Sequence, residues 1–295
     1  MNNRPVLYAL AAYAIWGTFP LYWALIRHVP TAEIMGHRIV WSCLVLAILV
    51  VITRRTGAIL AASRGVLGLY GVAAVLIGVN WTIYVWAVAS GYVVQTSLGY
   101  FITPLVNVLL GVVVLGERLR RPQWVAVALA TAGVVQLTRV SGAPPWIALG
   151  LAASFGSYGL IKKRAPLPPV EGLFVETAVL TLPALGYLTL LHRTDTAIFL
   201  DGAFTDAVLM GTGLLTVIPL LLFASAVRRV PLTAMGILQF FSPTMQFLIG
   251  VYVFREPFTA AQFVGFLLVW GAVVLFTAEG LWTRRAVPVL DEAVG

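Results

Sequence analysis

Ten apolar runs, each about as long as a lipid hydrocarbon core is thick, follow one another almost from end to end of this chain, and little but a membrane bundle can absorb them. A helix rises about 1.5 Å per residue, so roughly 20 apolar residues cross a core of about 30 Å. The runs fall at 5–26, 31–53, 65–88, 93–115, 121–139, 145–162, 170–191, 206–227, 231–254 and 259–280. Backbone groups in lipid find no water, so each run satisfies its own hydrogen bonds as a helix. A barrel would instead alternate polar and apolar residues in strands of about ten, and the sequence does not. The expected fold is therefore all-α and integral to the membrane.

Composition agrees. Only 10% of residues are charged and 60% are hydrophobic, where a soluble domain carries about 25% charge. The first run continues to Ile26, past the roughly 7–15 residues of a signal sequence, and is expected to be retained as a helix. Cys43 is the one cysteine, which excludes an intramolecular disulfide and a cysteine metal cluster. No glycine-rich phosphate loop follows a strand, so nucleotide-driven pumping has no support. No metal and no cofactor are expected.

The net charge of +8 reflects topology and not nucleic-acid binding. Assigned to alternate sides of ten helices, Arg4, Arg54, Arg55, Arg64, Arg118, Arg120, Arg121, Lys162, Lys163, Arg164, Arg228, Arg229, Arg284 and Arg285 share one side. Arg27, Arg139, Arg193 and Arg255 share the other, and Arg38 lies within a run. The positive-inside rule then places both termini in the cytoplasm of a bacterial-type inner membrane.

A shift of 139 residues lays the chain on itself. Thr103-Pro104-Leu105-Val106-Asn107 meets Ser242-Pro243-Thr244-Met245-Gln246, Gly17 meets Gly156, Gly111 meets Gly250, Phe101 meets Phe240, Glu117 meets Glu256 and Gln123 meets Gln262. The expected organisation is a first five-helix repeat over 1–139, a second over 140–283 and a short cytoplasmic tail over 284–295. Five is odd, so the halves cross the membrane in opposite senses. Inverted repeats place a substrate site near the midplane and permit alternating access.

Several stretches resemble one transporter group. Leu10 to Gly17 (LAAYAIWG), Val29-Pro30 with Glu33-Ile34, His37-Arg38 and Trp41-Ser42, Ala74 to Val88 (AVLIGVNWTIYVWAV), Ser97 to Asn107 (SLGYFITPLVN) and Leu115 to Trp124 (LGERLRRPQW) resemble the RarD branch of the EamA group, within the drug/metabolite transporter superfamily. The likeness covers nearly the whole chain and departs at Arg255-Glu256-Pro257, where Gly-Glu is expected. It implies ten helices in two inverted repeats and export of small metabolites or drugs across the inner membrane. Amino acids are the first candidates, and amphipathic drugs such as chloramphenicol the second.

Three groups of residues stand out within the runs. Intramembrane charge is costly and marks function, which singles out Glu33, His37, Arg38 and Glu176 as gating or charge-bearing residues. His37 and Glu176 are mates in the repeat register and would approach a cavity from opposite sides. The bland reading of Glu33 and Arg38 is that they snorkel to the outer interface. Aromatic and amide residues at mid-depth form the second group: Trp16, Tyr22, Asn80, Trp81, Tyr84, Tyr100, Phe101, Asn107, Tyr158, Gln239 and Gln246 are expected on a cavity wall. The third is the kink-forming set Pro20, Pro104, Pro219 and Pro243. Gly91, Gly99, Gly111, Gly133 and Gly250 are expected to permit close helix approach, and Glu256 to cap or pair at a helix end.

The partners implied are the lipid bilayer and a small-molecule substrate, with no nucleic acid. Proton coupling through His37 and Glu176 and uncoupled movement both satisfy the sequence. The alternatives are a membrane scaffold or receptor, or an intramembrane enzyme. An enzyme would need converging catalytic groups, whereas His28, His37 and His192 are scattered and Asp195, Asp201 and Asp206 fall in or beside one loop.

Overall fold

The computed structural model describes residues 4–115, 119–141, 145–227 and 238–285. Among these the chain is helical throughout, in the order α1 (Arg4–Ala24), α2 (Thr31–Ile52), the short α3 (Thr56–Leu60), α4 (Arg64–Ala89), α5 (Val93–Leu115), α6 (Arg121–Ser141), α7 (Trp146–Arg164), α8 (Pro169–Arg193), α9 (Ala203–Val227), α10 (Phe241–Leu248) and α11 (Ala260–Arg285). Six of these are long and apolar enough to cross a membrane, and Phe241–Val253 and Ala260–Phe276 are shorter apolar helices.

The helix ends follow local chemistry. Ser63 caps α4, its hydroxyl accepting from the Val66 N–H at 3.4 Å. Pro169 begins α8, where a missing N–H costs nothing. Gly91 turns the chain between α4 and α5 at φ +80 with open space around it, so it serves the turn and not the close packing expected of it. Gly133 does serve packing, because a Cβ there would lie 2.8 Å from the Gly265 carbonyl. That contact sets how closely α6 and α11 approach.

The expected helix over 231–254 differs. Its described part is α10, which a wider π turn over Ile249–Val253 completes. Pro243 therefore stands in the first turn of α10, where proline is tolerated, and does not interrupt a helix as expected. Pro20, Pro183 and Pro219 lie inside α1, α8 and α9. Pro104 lies within α5. The side chains of Pro104, Asn107 and Gly111, and the whole of Glu117, lie outside the described set.

The strongest packing pairs α6 with α11, α5 with α7, α1 with α9 and α10, α2 with α8 and α9, α4 with α7 and α8, and α5 with α10. Moving 139 residues along carries α1 onto α7, α2 onto α8, α4 onto α9, α5 onto α10 and α6 onto α11. Under that exchange each pairing becomes another pairing or itself. Outward faces are apolar, as at Val51, Ile52, Val113 and Leu182. The interior joins Phe19, Trp23, Ile34, Trp81, Tyr84, Leu151 and Leu209 in one cluster.

Candidate functional site

Eight helices enclose a cavity of about 530 Å³, lined by Tyr13, Trp16 and Phe19 of α1, Arg38 of α2, Asn80, Trp81 and Tyr84 of α4, and Tyr100 and Thr103 of α5. The wall continues with Phe155, Tyr158 and Lys162 of α7, Leu173 of α8, Thr216, Leu220 and Phe223 of α9, and Gln239, Ser242 and Gln246 at and before α10. Among the described residues, α6 and α11 contribute none to the lining.

Much of the wall consists of register mates. Trp16 and Phe155, Phe19 and Tyr158, Trp81 and Leu220, Tyr84 and Phe223, Tyr100 and Gln239, and Thr103 and Ser242 are each 139 residues apart, and all line the cavity.

The cavity reaches one end of the bundle. Ala165 and Leu167 of the α7–α8 loop and Pro169 at the start of α8 line it. Towards the other end it reaches Arg38, seven residues and so roughly 10 Å into α2. Beyond Arg38 two carboxylates tie the chain together. Glu33 Oε1 accepts the N–H groups of Ile198 and Phe199 at 2.8 and 2.9 Å, and the Phe199 ring lies 4.3 Å from that of His37. Glu256 accepts the first N–H groups of α5, from Val93 at 2.6 Å and Val94 at 2.8 Å, where a helix N-terminus favours an anion. Burial pushes the Glu256 carboxyl above the ordinary carboxylate range, against these N–H groups and the charge of Arg27, which pull it down.

Arg38 is 3% exposed, so it does not snorkel to an interface. Its Nε donates to Thr216 Oγ1 at 3.1 Å, and its guanidinium lies 4.3 Å from the Trp81 ring centroid and 5.3 Å from that of Trp23. Nη1 is buried without a partner, as are Tyr84 Oη and Gln246 Oε1. Near the α7–α8 end, Glu176 is fully buried. Its carboxylate accepts from Lys162 Nζ at 2.7 Å and from Tyr158 Oη at 3.0 Å. Lys162 also lies 4.8 Å from the Tyr70 ring centroid, in space that Gly172 leaves open.

Of the residues expected on a cavity wall, Trp16, Asn80, Trp81, Tyr84, Tyr100, Tyr158, Gln239 and Gln246 are there. Asn80 also bridges α4 to α7, donating to the Leu151 carbonyl and Ser154 Oγ, both at 3.0 Å. Tyr22 and Phe101 are not among the lining residues. Tyr22 donates to the Val208 carbonyl at 2.6 Å, and Phe101 stacks on Phe240 in a separate apolar cluster. His37 lies against Phe199 and likewise does not line the cavity. Glu176 meets it through its two partners, which do.

The sequence reading missed Tyr13, Phe155, Lys162, Thr216 and Phe223. Phe155 and Phe223 had a signal, being the register mates of Trp16 and Tyr84. Lys162 had none, since its charge was assigned to a helix end. Among the described residues no group of His, Cys, Asp and Glu is placed to hold a metal.

A bundle of apolar helices around a cavity walled by aromatic and aliphatic side chains, with a few buried polar atoms, defines a multi-pass membrane protein built to hold a small molecule. The chain belongs to the EamA-like transporter family, whose pattern matches it twice, over residues 3–139 and 144–278. It is 46% identical to Protein RarD of Streptomyces exfoliatus over 283 residues, 95% of this chain and 90% of the relative. It is 42% identical to the uncharacterized transporter YojE of Bacillus subtilis over 97% of each chain. A solved crystal structure with 18% identity aligns over 95% of this chain and 99% of its own at a TM-score of 0.59, a likeness of fold alone.

Proposed function

We propose that the protein is a secondary transporter that exports small metabolites across a bacterial inner membrane by alternating access, with the central cavity as its substrate site. The observation that carries this reading is the cavity itself: about 530 Å³, largely apolar, reaching one end of the bundle, with side-chain ties beyond its other end. Ten membrane helices form two inverted five-helix repeats. The twofold family match, the exchange symmetry of the helix pairings and the register mates on the wall all support that organisation. The termini and the α7–α8 loop are cytoplasmic, a placement supported by the arginine and lysine distribution. The cavity is then open to the cytoplasm, the state from which an exporter loads. Amino acids are the first substrates to test and chloramphenicol the second.

The test is counterflow in liposomes with a labelled amino-acid panel and chloramphenicol, with and without a pH gradient. Saturable movement that falls at least about tenfold in Tyr84→Ala, which removes a buried wall residue, is the expected result. Dependence on the pH gradient would add proton coupling. Folded protein that moves nothing across the panel and across a broader metabolite mixture would overturn the reading.

A further inference from the structure

We propose that the substrate carries a carboxylate and that Arg38 holds it at the blind end of the cavity. This rests on the transport reading of that cavity and deepens it to a substrate class.

A guanidinium inside a membrane bundle is costly and is usually offset by an acid. Arg38 has no such acid among the described residues. Glu33 is five positions earlier on α2, about 140° around the helix, and its Oε1 is taken by the Ile198 and Phe199 N–H groups. Glu176 is engaged by Lys162 and Tyr158, Glu256 by Val93 and Val94, and Asp206 by the Leu200 N–H. What surrounds Arg38 holds a cation without neutralising it: one hydroxyl, from Thr216, and the rings of Trp81, Trp23 and Phe19. Nη1 is left with no acceptor although the residue is 3% exposed and lines the cavity.

The missing counter-charge is therefore external. Lys162, the other cation on the wall, is already balanced by Glu176. Among the described residues the wall thus offers one uncompensated positive charge, which matches a monoanion better than a phosphate dianion. A planar guanidinium suits a carboxylate in geometry as well. Tyr84 stands one turn beyond Trp81 on α4, and its buried, unpartnered hydroxyl is a second donor on the same stretch of wall. Aromatic and aliphatic side chains make up most of the remaining wall and suit an apolar body.

The test measures binding to the full chain in nanodiscs by isothermal titration. The ligands are a panel of aromatic and aliphatic monocarboxylates of two to ten carbons, phenylacetate among them, each paired with its neutral amide. Losing a charge-assisted hydrogen bond costs about tenfold or more in affinity, so at least one acid is expected to outbind its amide by that factor in the wild type. Arg38→Gln is expected to bring acid and amide within about twofold, and Arg38→Lys to keep part of the preference. A wild-type panel in which no acid outbinds its amide overturns the proposal, whether or not the amides bind, and that result needs no variant to fold. A preference that survives in Arg38→Gln overturns it too. Saturable flux of a neutral compound that persists in Arg38→Gln leaves transport standing while this inference falls. Acid-selective binding without flux of any compound leaves the inference standing and removes transport.

Discussion

Lys162, Glu176 and Tyr158 form a buried cluster whose members differ in access to water, and that difference predicts an ordering of variants. The Glu176 side chain is fully buried, whereas that of Lys162 is 25% exposed. Lys162→Met strands a carboxylate that keeps one hydrogen bond, from Tyr158 at 3.0 Å. Removing one partner of a buried pair costs about 3–5 kcal/mol. Glu176→Gln instead leaves an ammonium that faces the open part of the cavity and the Tyr70 ring. Water and the ring take up most of that loss, leaving about 1–2 kcal/mol. The double variant strands no charge and should cost little more than Glu176→Gln, so the coupling is close to the whole cost of Lys162→Met, about 3–4 kcal/mol.

The assay is thermal unfolding in detergent, followed by tryptophan fluorescence. At roughly 2–4 °C per kcal/mol, Lys162→Met should lower the apparent Tm by on the order of 10 °C and Glu176→Gln by about 3–5 °C. Equal losses in the two single variants would refute the reasoning from exposure. Losses that simply add in the double variant would show that the two charges do not depend on each other.

Three further outcomes are expected. Glu256 titrates above the ordinary carboxylate range because it is buried, so the folded state holds its proton more tightly than the unfolded one; the stability this brings is present below about pH 4.3 and is lost as pH rises through the higher folded value. Glu256→Gln should flatten that part of a Tm-against-pH curve, and an unchanged slope would contradict the assignment. Arg255 has φ 54, a left-handed conformation costing about 1 kcal/mol for a residue with a Cβ, so Arg255→Gly should hold or raise the apparent Tm by about 2–4 °C, and a clear fall would count against it. Gly133→Leu should cost about 1–3 kcal/mol or more by forcing α6 from α11, yet leave the KM for flux within about twofold because neither helix lines the cavity; a large KM change without loss of Tm would reverse that reading.

What the sequence made legible was depth, and what it hid was rotation. Outside the run at 231–254, apolar length located the membrane helices to within a few residues, and the register of 139 tied Trp16 to Phe155 and Tyr84 to Phe223. Tyr22 and Phe101 share the depth of the cavity residues but turn elsewhere, to the Val208 carbonyl and to Phe240. A helix that is apolar all round has no polar stripe to say which side faces the interior, so depth alone overcounted the wall. Lys162 was hidden for the opposite reason: near a helix end a lysine serves topology as well as chemistry, and its link to Glu176 appears only when α7 and α8 fold together. Arg255 is an instructive departure. Its register mate is Gly116, and the left-handed turn at Arg255 is a conformation that glycine adopts without strain.

The proposed repeats match in shape but not in chemistry, and that mismatch bears on mechanism. Aromatic faces aromatic across the register at Trp16 and Phe155, and at Tyr84 and Phe223, so an exchange of conformation between the halves keeps an apolar surface around the substrate. The two cations on the described wall do not repeat: Arg38 corresponds to Thr177, and Lys162 to Trp23. Motion that exchanged the two halves would close the α7–α8 end and open the other, where Glu33 would have to release Ile198 and Phe199, and Glu256 the start of α5. Arg38 lies nearest that second exit. Under the export and carboxylate proposals the anion is held beside the gate through which it leaves, with the neutralised Lys162–Glu176 pair behind it near the entrance. A cation already balanced by an acid retains an anion weakly and an unbalanced one retains it strongly. Under the export and carboxylate proposals together, the asymmetry directs the anion away from the entrance and towards Arg38, with no change in the wall around its apolar body.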